Sequence, residues 1–111
     1  MKFNTKAIHG GQYHDPSTGA VMPPVYQTST FVQTSPGQPI GDYEYSRASN
    51  PTRTALEHAL ASIENGNRAL AFSSGLAATD CILRSFKTGD EVIAMDDLYG
   101  GTYRMFTRIY K

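Results

Sequence analysis

Two regimes of hydrophobic patterning meet near residue 50. Before that point the apolar residues Val21, Val25, Tyr26, Phe31, Val32, Ile40, Tyr43 and Tyr45 recur at no fixed period. All six prolines of the chain lie between residues 16 and 51. Proline removes backbone donors and glycine raises the entropy lost on ordering, so this region resists regular structure. Its apolar content is nevertheless too high for a disordered tail. The pattern predicts an irregular arm, residues 1–50, ordered by lying against another surface.

From Asn50 onward the pattern is periodic. Asn50 is a good N-cap, and Pro51 suits the first helical position, where its missing N–H costs nothing. Leu56, Ala59, Leu60 and Ile63 then recur at helical spacing, which predicts a helix over 51–65 with Gly66 as its left-handed stop. "ALAF", 69–72, has the length and composition of a buried strand. After Ser73-Ser74-Gly75, the residues Leu76, Thr79, Ile82, Leu83 and Phe86 follow the helical period again, and Gly89 closes that helix. "EVIAM", 91–95, is a second strand, "DDLYGGT" a loop, and a last segment from about 102 puts Tyr103, Phe106 and Tyr110 on one face. Strand, helix, strand, helix is the grammar of an α/β fold with a parallel sheet. Such a sheet needs several strands and helices on both faces. Two strands, with a final helix that shows no stop signal, predict the front portion of a larger domain.

Composition narrows the function classes. Ten basic residues balance ten acidic ones among 111, which gives no electrostatic argument for nucleic acid or an anionic membrane. Cys81 is the only cysteine, so no disulfide forms within the chain; it falls in the helical apolar pattern as a small core residue. The N-terminus has no apolar run of signal-peptide or membrane-span length, and a cytoplasmic location is the expectation. His9, His14 and His58 show no ligand spacing, and no metal site is expected.

Three stretches bear on chemistry. In "AFSSGLAATD" a strand hands over to a helix through three small residues. The first amides of that helix lack intrahelical partners and sit at the positive end of its dipole. Gly75 permits close approach and the serine hydroxyls can donate, so the junction is competent to hold an anion, although a plain serine N-cap accounts for Ser74 equally well. No Walker lysine or G-x-G-x-x-G accompanies it. In "DYEYSRASNPTR", Tyr45 and Arg47 offer a hydroxyl and a bidentate fork for phosphate or carboxylate; a packed tyrosine beside a surface arginine is the simpler account. Their place in the arm means that they reach the helix junction only if the arm folds back or crosses to another subunit. In "DDLYGGTYR", Tyr99 stands at the carboxyl edge of the predicted sheet, where ligands bind in open α/β folds. Its ring can stack on a flat ligand, with Gly100-Gly101 leaving room, or it is an ordinary tyrosine in a turn. Arg104 lies one helical turn further on.

Taken in order, "EYSRASNPTR", "AFSSGLAATD" and "AMDDLYGGTYR" resemble the N-terminal part of the cystathionine γ-synthase and γ-lyase family, and "IHGGQYHDPSTGAVMPPVYQTSTF" extends the likeness through the arm. Within that family the motifs look more like those of γ-lyases than γ-synthases. The resemblance implies a pyridoxal-phosphate enzyme of transsulfuration with the aspartate-aminotransferase-like fold type I, working as a tetramer of catalytic dimers on a small amino-acid substrate. It implies that the arm, 1–50, contacts the neighbouring subunit and that 51–111 begins the large cofactor-binding domain. Gly75 and Leu76 match positions whose amides hold the cofactor phosphate, with Ser74 beside them. Tyr45 and Arg47 match a pair that reaches the same phosphate from the neighbouring subunit. Tyr99 matches a tyrosine stacked on the pyridine ring and implicated in proton handling, and Arg104 an arginine near the substrate. The family's Schiff-base lysine and pyridinium aspartate lie beyond position 111. These 111 residues by themselves are therefore expected to be inactive. A small phosphate-binding module without enzymatic activity is the alternative from another class.

Overall fold

Helix α2, Pro51–Ile63, forms where the cap signal places it, and the cap does more than close a helix. Asn50 is buried; its Oδ1 accepts the Thr52 amide at 2.8 Å, while its Nδ2 donates to the Tyr26 carbonyl and to Ser46 Oγ. Thr52 Oγ1 in turn accepts the Tyr26 amide. The end of one helix thus satisfies the polar groups of an arm too rich in proline to satisfy its own. The other end of α2 differs from expectation. The helix stops at Ile63, and Asn65 rather than Gly66 takes the left-handed conformation, at φ 55°. The Gly66 amide donates to the Ala61 carbonyl at 2.8 Å, the long-range bond of a Schellman closure, which puts the left-handed position one residue earlier.

The computed structural model describes residues 1–111, which fall into two compact units, 1–71 and 72–111. In the first unit the arm is more regular than its composition predicts. Residues Phe3–His9 form α1, which packs on α2. Gln33–Ser35 (β1) and Gln38–Pro39 (β2) pair antiparallel around a turn with Gly37 at φ 73°. An isolated antiparallel bridge joins Thr30 to Tyr45. The α1–α2 contact depends on Gly10 and Gly11: a Cβ on Gly11 would lie 2.2 Å from the His58 carbonyl oxygen, and Gly11 has φ +69°. Two backbones approach there because neither glycine carries a side chain.

Asp15 closes the loop that follows. It is buried and accepts hydrogen bonds from the hydroxyls and amides of Ser17 and Thr18. The Thr18 hydroxyl foremost, then the Ser17 hydroxyl, holds its carboxyl below the usual carboxylate range. A depressed folded value means that the stabilisation is full above the ordinary carboxylate pKa and is lost as pH falls through the lowered one. Asp15→Asn should therefore flatten the acid limb of a stability–pH curve below about pH 4. Urea melts between acid and neutral pH would check this; parallel curves for the two proteins would contradict it.

In the second unit, α3 spans Gly75–Leu83, α4 spans Gly100–Arg104, and a π-helical turn follows over Met105–Ile109. The final segment thus begins at Gly100, two residues before its expected start. Helix α3 ends six residues short of Gly89. Ser85 Oγ donates to the Ile82 carbonyl at 2.6 Å, a side-chain bond that competes with helix continuation, and Gly89 serves a separate turn at φ 100°. The Tyr110 hydroxyl donates to Asp80 of α3, and this bond, ahead of that from Arg84, lowers the Asp80 carboxyl and raises the Tyr110 phenol from their usual ranges. Cys81 is exposed rather than a core residue, because it falls outside the face of α3 that buries Leu83.

Neither 69–72 nor 91–95 forms a strand within this chain. A strand exists only through its ladder. The Ala71 amide instead donates to Glu57 Oε1 at 2.9 Å, and Ile93 is 100% exposed. Both segments are apolar and unpaired. The buried apolar residues of the chain are Ala61, Leu83 and Met105.

Candidate functional site

Residues 73–76 span the start of helix α3 in the second unit. Ser74 is the N-cap of α3, with extended backbone (φ −157°, ψ 155°), and its Oγ accepts the Ala77 amide at 3.1 Å. The Ala78 amide reaches the Ser74 carbonyl at 3.2 Å. That leaves the amides of Gly75 and Leu76 with no hydrogen-bond partner. The cap and the cradle are therefore not rivals: Ser74 uses a lone pair to cap Ala77 and keeps its hydroxyl proton to donate. A Cβ built on Gly75 meets nothing within 4 Å, so the space in front of these amides is open. Two free amides at the positive end of a nine-residue helix, with room before them, are competent to hold an anion.

Tyr99 lies beside this junction. It is the N-cap of α4 and is 74% exposed. Gly101 is buried, and a Cβ there would lie 2.6 Å from Tyr99 Cε1 and 3.2 Å from Leu76 Cδ2. The missing side chain lets the Tyr99 ring settle against the α4 backbone next to Leu76, while most of the ring stays open to a ligand. Arg104 turns back along α4, and its Nη1 stands 3.7 Å from where a Gly100 Cβ would be. It has no acidic partner. Leu76, Tyr99 and Gly101 thus come together, with Gly75 preceding Leu76 in α3 and Arg104 one turn along the same helix as Gly101.

Tyr45 and Arg47 belong to the first unit and form a pair of their own. The Arg47 guanidinium carbon lies 4.8 Å above the centre of the Tyr45 ring, and Arg47 makes no ion pair or hydrogen bond. The Tyr45 carbonyl accepts the amides of Ala48 and Ser49, which closes a tight turn over 45–48. Ser46 is fixed on both sides, its amide donating to the Ser29 carbonyl and its hydroxyl to the Thr28 carbonyl. A cation stacked on an aromatic face with all its N–H groups free is poised for an anion.

Sequence reasoning missed the residues that build this turn. Arg53 donates from both terminal nitrogens to the carbonyls of Ser46 and Ala48, and Asn50 binds the Ser46 hydroxyl. The signal was the spacing in "SNPTR", which sets a guanidinium on the first turn of a helix whose cap faces back toward the arm.

Comparison with known proteins gives these features a context. The family described as Cys/Met metabolism PLP-dependent enzyme matches residues 4–111. A cystathionine β-lyase of Coxiella burnetii is 53% identical over 109 residues, covering 98% of this chain and 28% of that protein. A cystathionine γ-synthase of Mycobacterium bovis is 52% identical over 107 residues, covering 96% and 28%. Among solved structures, a cystathionine γ-lyase from Lactobacillus plantarum complexed with L-serine superposes with a TM-score of 0.83 at 46% identity, over 99% of this chain and 28% of that one. The chain therefore spans little more than a quarter of the length of these relatives. Its fold is that of the N-terminal part of these fold-type-I enzymes, and the family's cofactor is pyridoxal phosphate.

Proposed function

Since this chain belongs to the Cys/Met metabolism PLP-dependent enzyme family, we propose that it is the N-terminal part of a transsulfuration enzyme, a cystathionine γ-lyase by its motifs. The single observation that carries this reading is the pair of unpartnered amides on Gly75 and Leu76, facing open space at a capped helix start. The residues present fit a phosphate ester. The amides of Gly75 and Leu76 and the Ser74 hydroxyl would hold it, and the Tyr99 ring would lie against the flat heterocycle. Tyr45 and Arg47 would supply a phenol and a bidentate cation to the same phosphate from a neighbouring subunit, within a tetramer of catalytic dimers in which the arm covers its neighbour. The group itself, when bound, supplies an electron sink for negative charge developing at the α and β carbons of an amino acid.

The chain's own residues set the conditions for that chemistry. Ser74 orders the helix start before any ligand arrives, so the amides need no reorganisation to receive an anion. With the heterocycle bound against its ring, the Tyr99 phenol would be available to move a proton at the substrate's side-chain carbons. Arg104, free of any acid, suits a substrate carboxylate. We place the protein in the cytoplasm.

The test is made on the full-length protein. Absorbance titration with pyridoxal phosphate should show saturable binding, and cystathionine should then yield 2-oxobutanoate. Pyruvate in its place would mark cleavage on the β side, and net formation of cystathionine from cysteine and an activated homoserine would mark the synthase. Failure to bind the cofactor would remove the proposal altogether. Binding of inorganic phosphate with no preference for pyridoxal phosphate would favour a phosphate-binding module instead.

A further inference from the structure

Helix α2 carries two charged residues, Arg53 and Glu57, to which the function proposed above gives no role. They stand one turn apart, Arg53 Nε 3.7 Å from Glu57 Oε1, with side chains 32% and 19% exposed. As a surface pair this would count for little. What sets it apart is that both members also bind backbone. The Arg53 terminal nitrogens donate to the Ser46 carbonyl at 2.9 Å and the Ala48 carbonyl at 2.6 Å. Glu57 Oε1 accepts the Ala71 amide at 2.9 Å.

The two carbonyls that Arg53 grips belong to the residues immediately before and after Arg47. A planar fork holding both peptides fixes the direction in which the residue between them projects, and a single point contact would leave it free to rotate. The remaining contacts of the turn do not substitute for it. Asn50 and Thr28 hold the Ser46 side chain, the Ser46 amide binds the Ser29 carbonyl, and the Ala48 and Ser49 amides bind the Tyr45 carbonyl, so none of them engages the carbonyls of Ser46 or Ala48. Arg53 alone holds the Ala48 carbonyl. Arg47 itself has no partner but the Tyr45 ring.

We infer that Arg53, oriented by Glu57, is a positioning residue that presents Arg47 and Tyr45 to the cofactor phosphate without touching the ligand. The inference rests on the cofactor reading proposed above. Arg53 acts on its own backbone turn, so its effect must pass through Arg47 and must concern the phosphate, leaving the heterocycle alone.

Affinities for pyridoxal phosphate, and for pyridoxal, which lacks the phosphate, would be measured on full-length wild type, Arg53→Ala, Arg53→Lys, Arg47→Ala and the double alanine variant. Arg53→Ala should weaken pyridoxal phosphate about tenfold or more, the loss expected when a charge-assisted contact is misdirected, and leave pyridoxal unchanged. Arg53→Lys, which can satisfy one carbonyl, should fall between; it carries the same comparison if the alanine variant does not fold. The double variant should bind no more weakly than Arg47→Ala alone. Equal weakening of both ligands, or losses that multiply in the double variant, would reduce Arg53 to a structural clamp and overturn the inference. A wild type that selects the phosphate while Arg53 variants match it overturns this inference only. A wild type that binds no pyridoxal phosphate overturns the proposed function as well.

Discussion

Gly75→Ala in the full-length protein should raise thermal stability slightly and weaken pyridoxal phosphate binding by one to two orders of magnitude. The two effects have opposite signs because they arise on opposite sides of the same atom. Gly75 is the first residue of α3 and is not among the positive-φ residues, and a Cβ there meets nothing within 4 Å. Alanine therefore costs no strain, and reduced freedom in the unfolded chain contributes about 0.4–1 kcal/mol to stability. A Cβ on a helix points toward its N-terminus, into the space that the free amides of Gly75 and Leu76 face. A hydrogen bond to a charged group is worth about 1.5–3 kcal/mol, so displacing the anion from one amide lowers affinity roughly 10- to 150-fold. Melting the cofactor-free protein and titrating it by absorbance tests both halves. A variant with raised stability and undiminished affinity would show that these amides do not grip the phosphate.

The largest stability loss is expected at Gly11. At φ +69°, with its Cβ position 2.2 Å from the His58 carbonyl oxygen and 2.8 Å from the Ala59 nitrogen, alanine meets two separate penalties. The left-handed conformation alone costs about 1–2 kcal/mol. Overlap with fixed backbone adds to this, because α1 must move off α2 to relieve it, and a total above roughly 3 kcal/mol follows from the two mechanisms together. Gly19 provides the control. It has φ +72° and nothing within 4 Å of its Cβ position, so Gly19→Ala meets the conformational cost alone. Denaturant melts of the two variants separate the contributions. Equal losses would mean that the α1–α2 approach contributes nothing at this glycine.

What was legible in the sequence follows a physical division. Local signals read true: Asn50-Pro51 started α2, and Ser74 capped α3 at the junction singled out for an anion. Those elements are decided by residues three or four apart. The strands over 69–72 and 91–95 were read from apolar runs, but a ladder is a property of two segments, and neither run is paired within this chain. The small structures of the arm were missed for the converse reason. α1 arises from docking onto α2, and the β1–β2 hairpin from its turn at Gly37, where composition argued against regular structure. The candidate site residues were assigned through motif resemblance, whereas Arg53 and Glu57 were not singled out. Their significance lies in the backbone groups they bind, and no side-chain pattern records those.

The end of α2 bears on how the protein ages. Asn-Gly is the dipeptide in which asparagine most readily cyclises, its side-chain carbonyl carbon being attacked by the following amide nitrogen. At Asn65-Gly66 that nitrogen is committed to the Ala61 carbonyl at 2.8 Å. The Asn65 side-chain oxygen is held by Lys6 Nζ from α1, which fixes the carboxamide in place. Ring closure must first break the Schellman bond, so the same closure that ends the helix shields its asparagine from deamidation while the fold is intact, and surrenders it to that chemistry once the helix end opens.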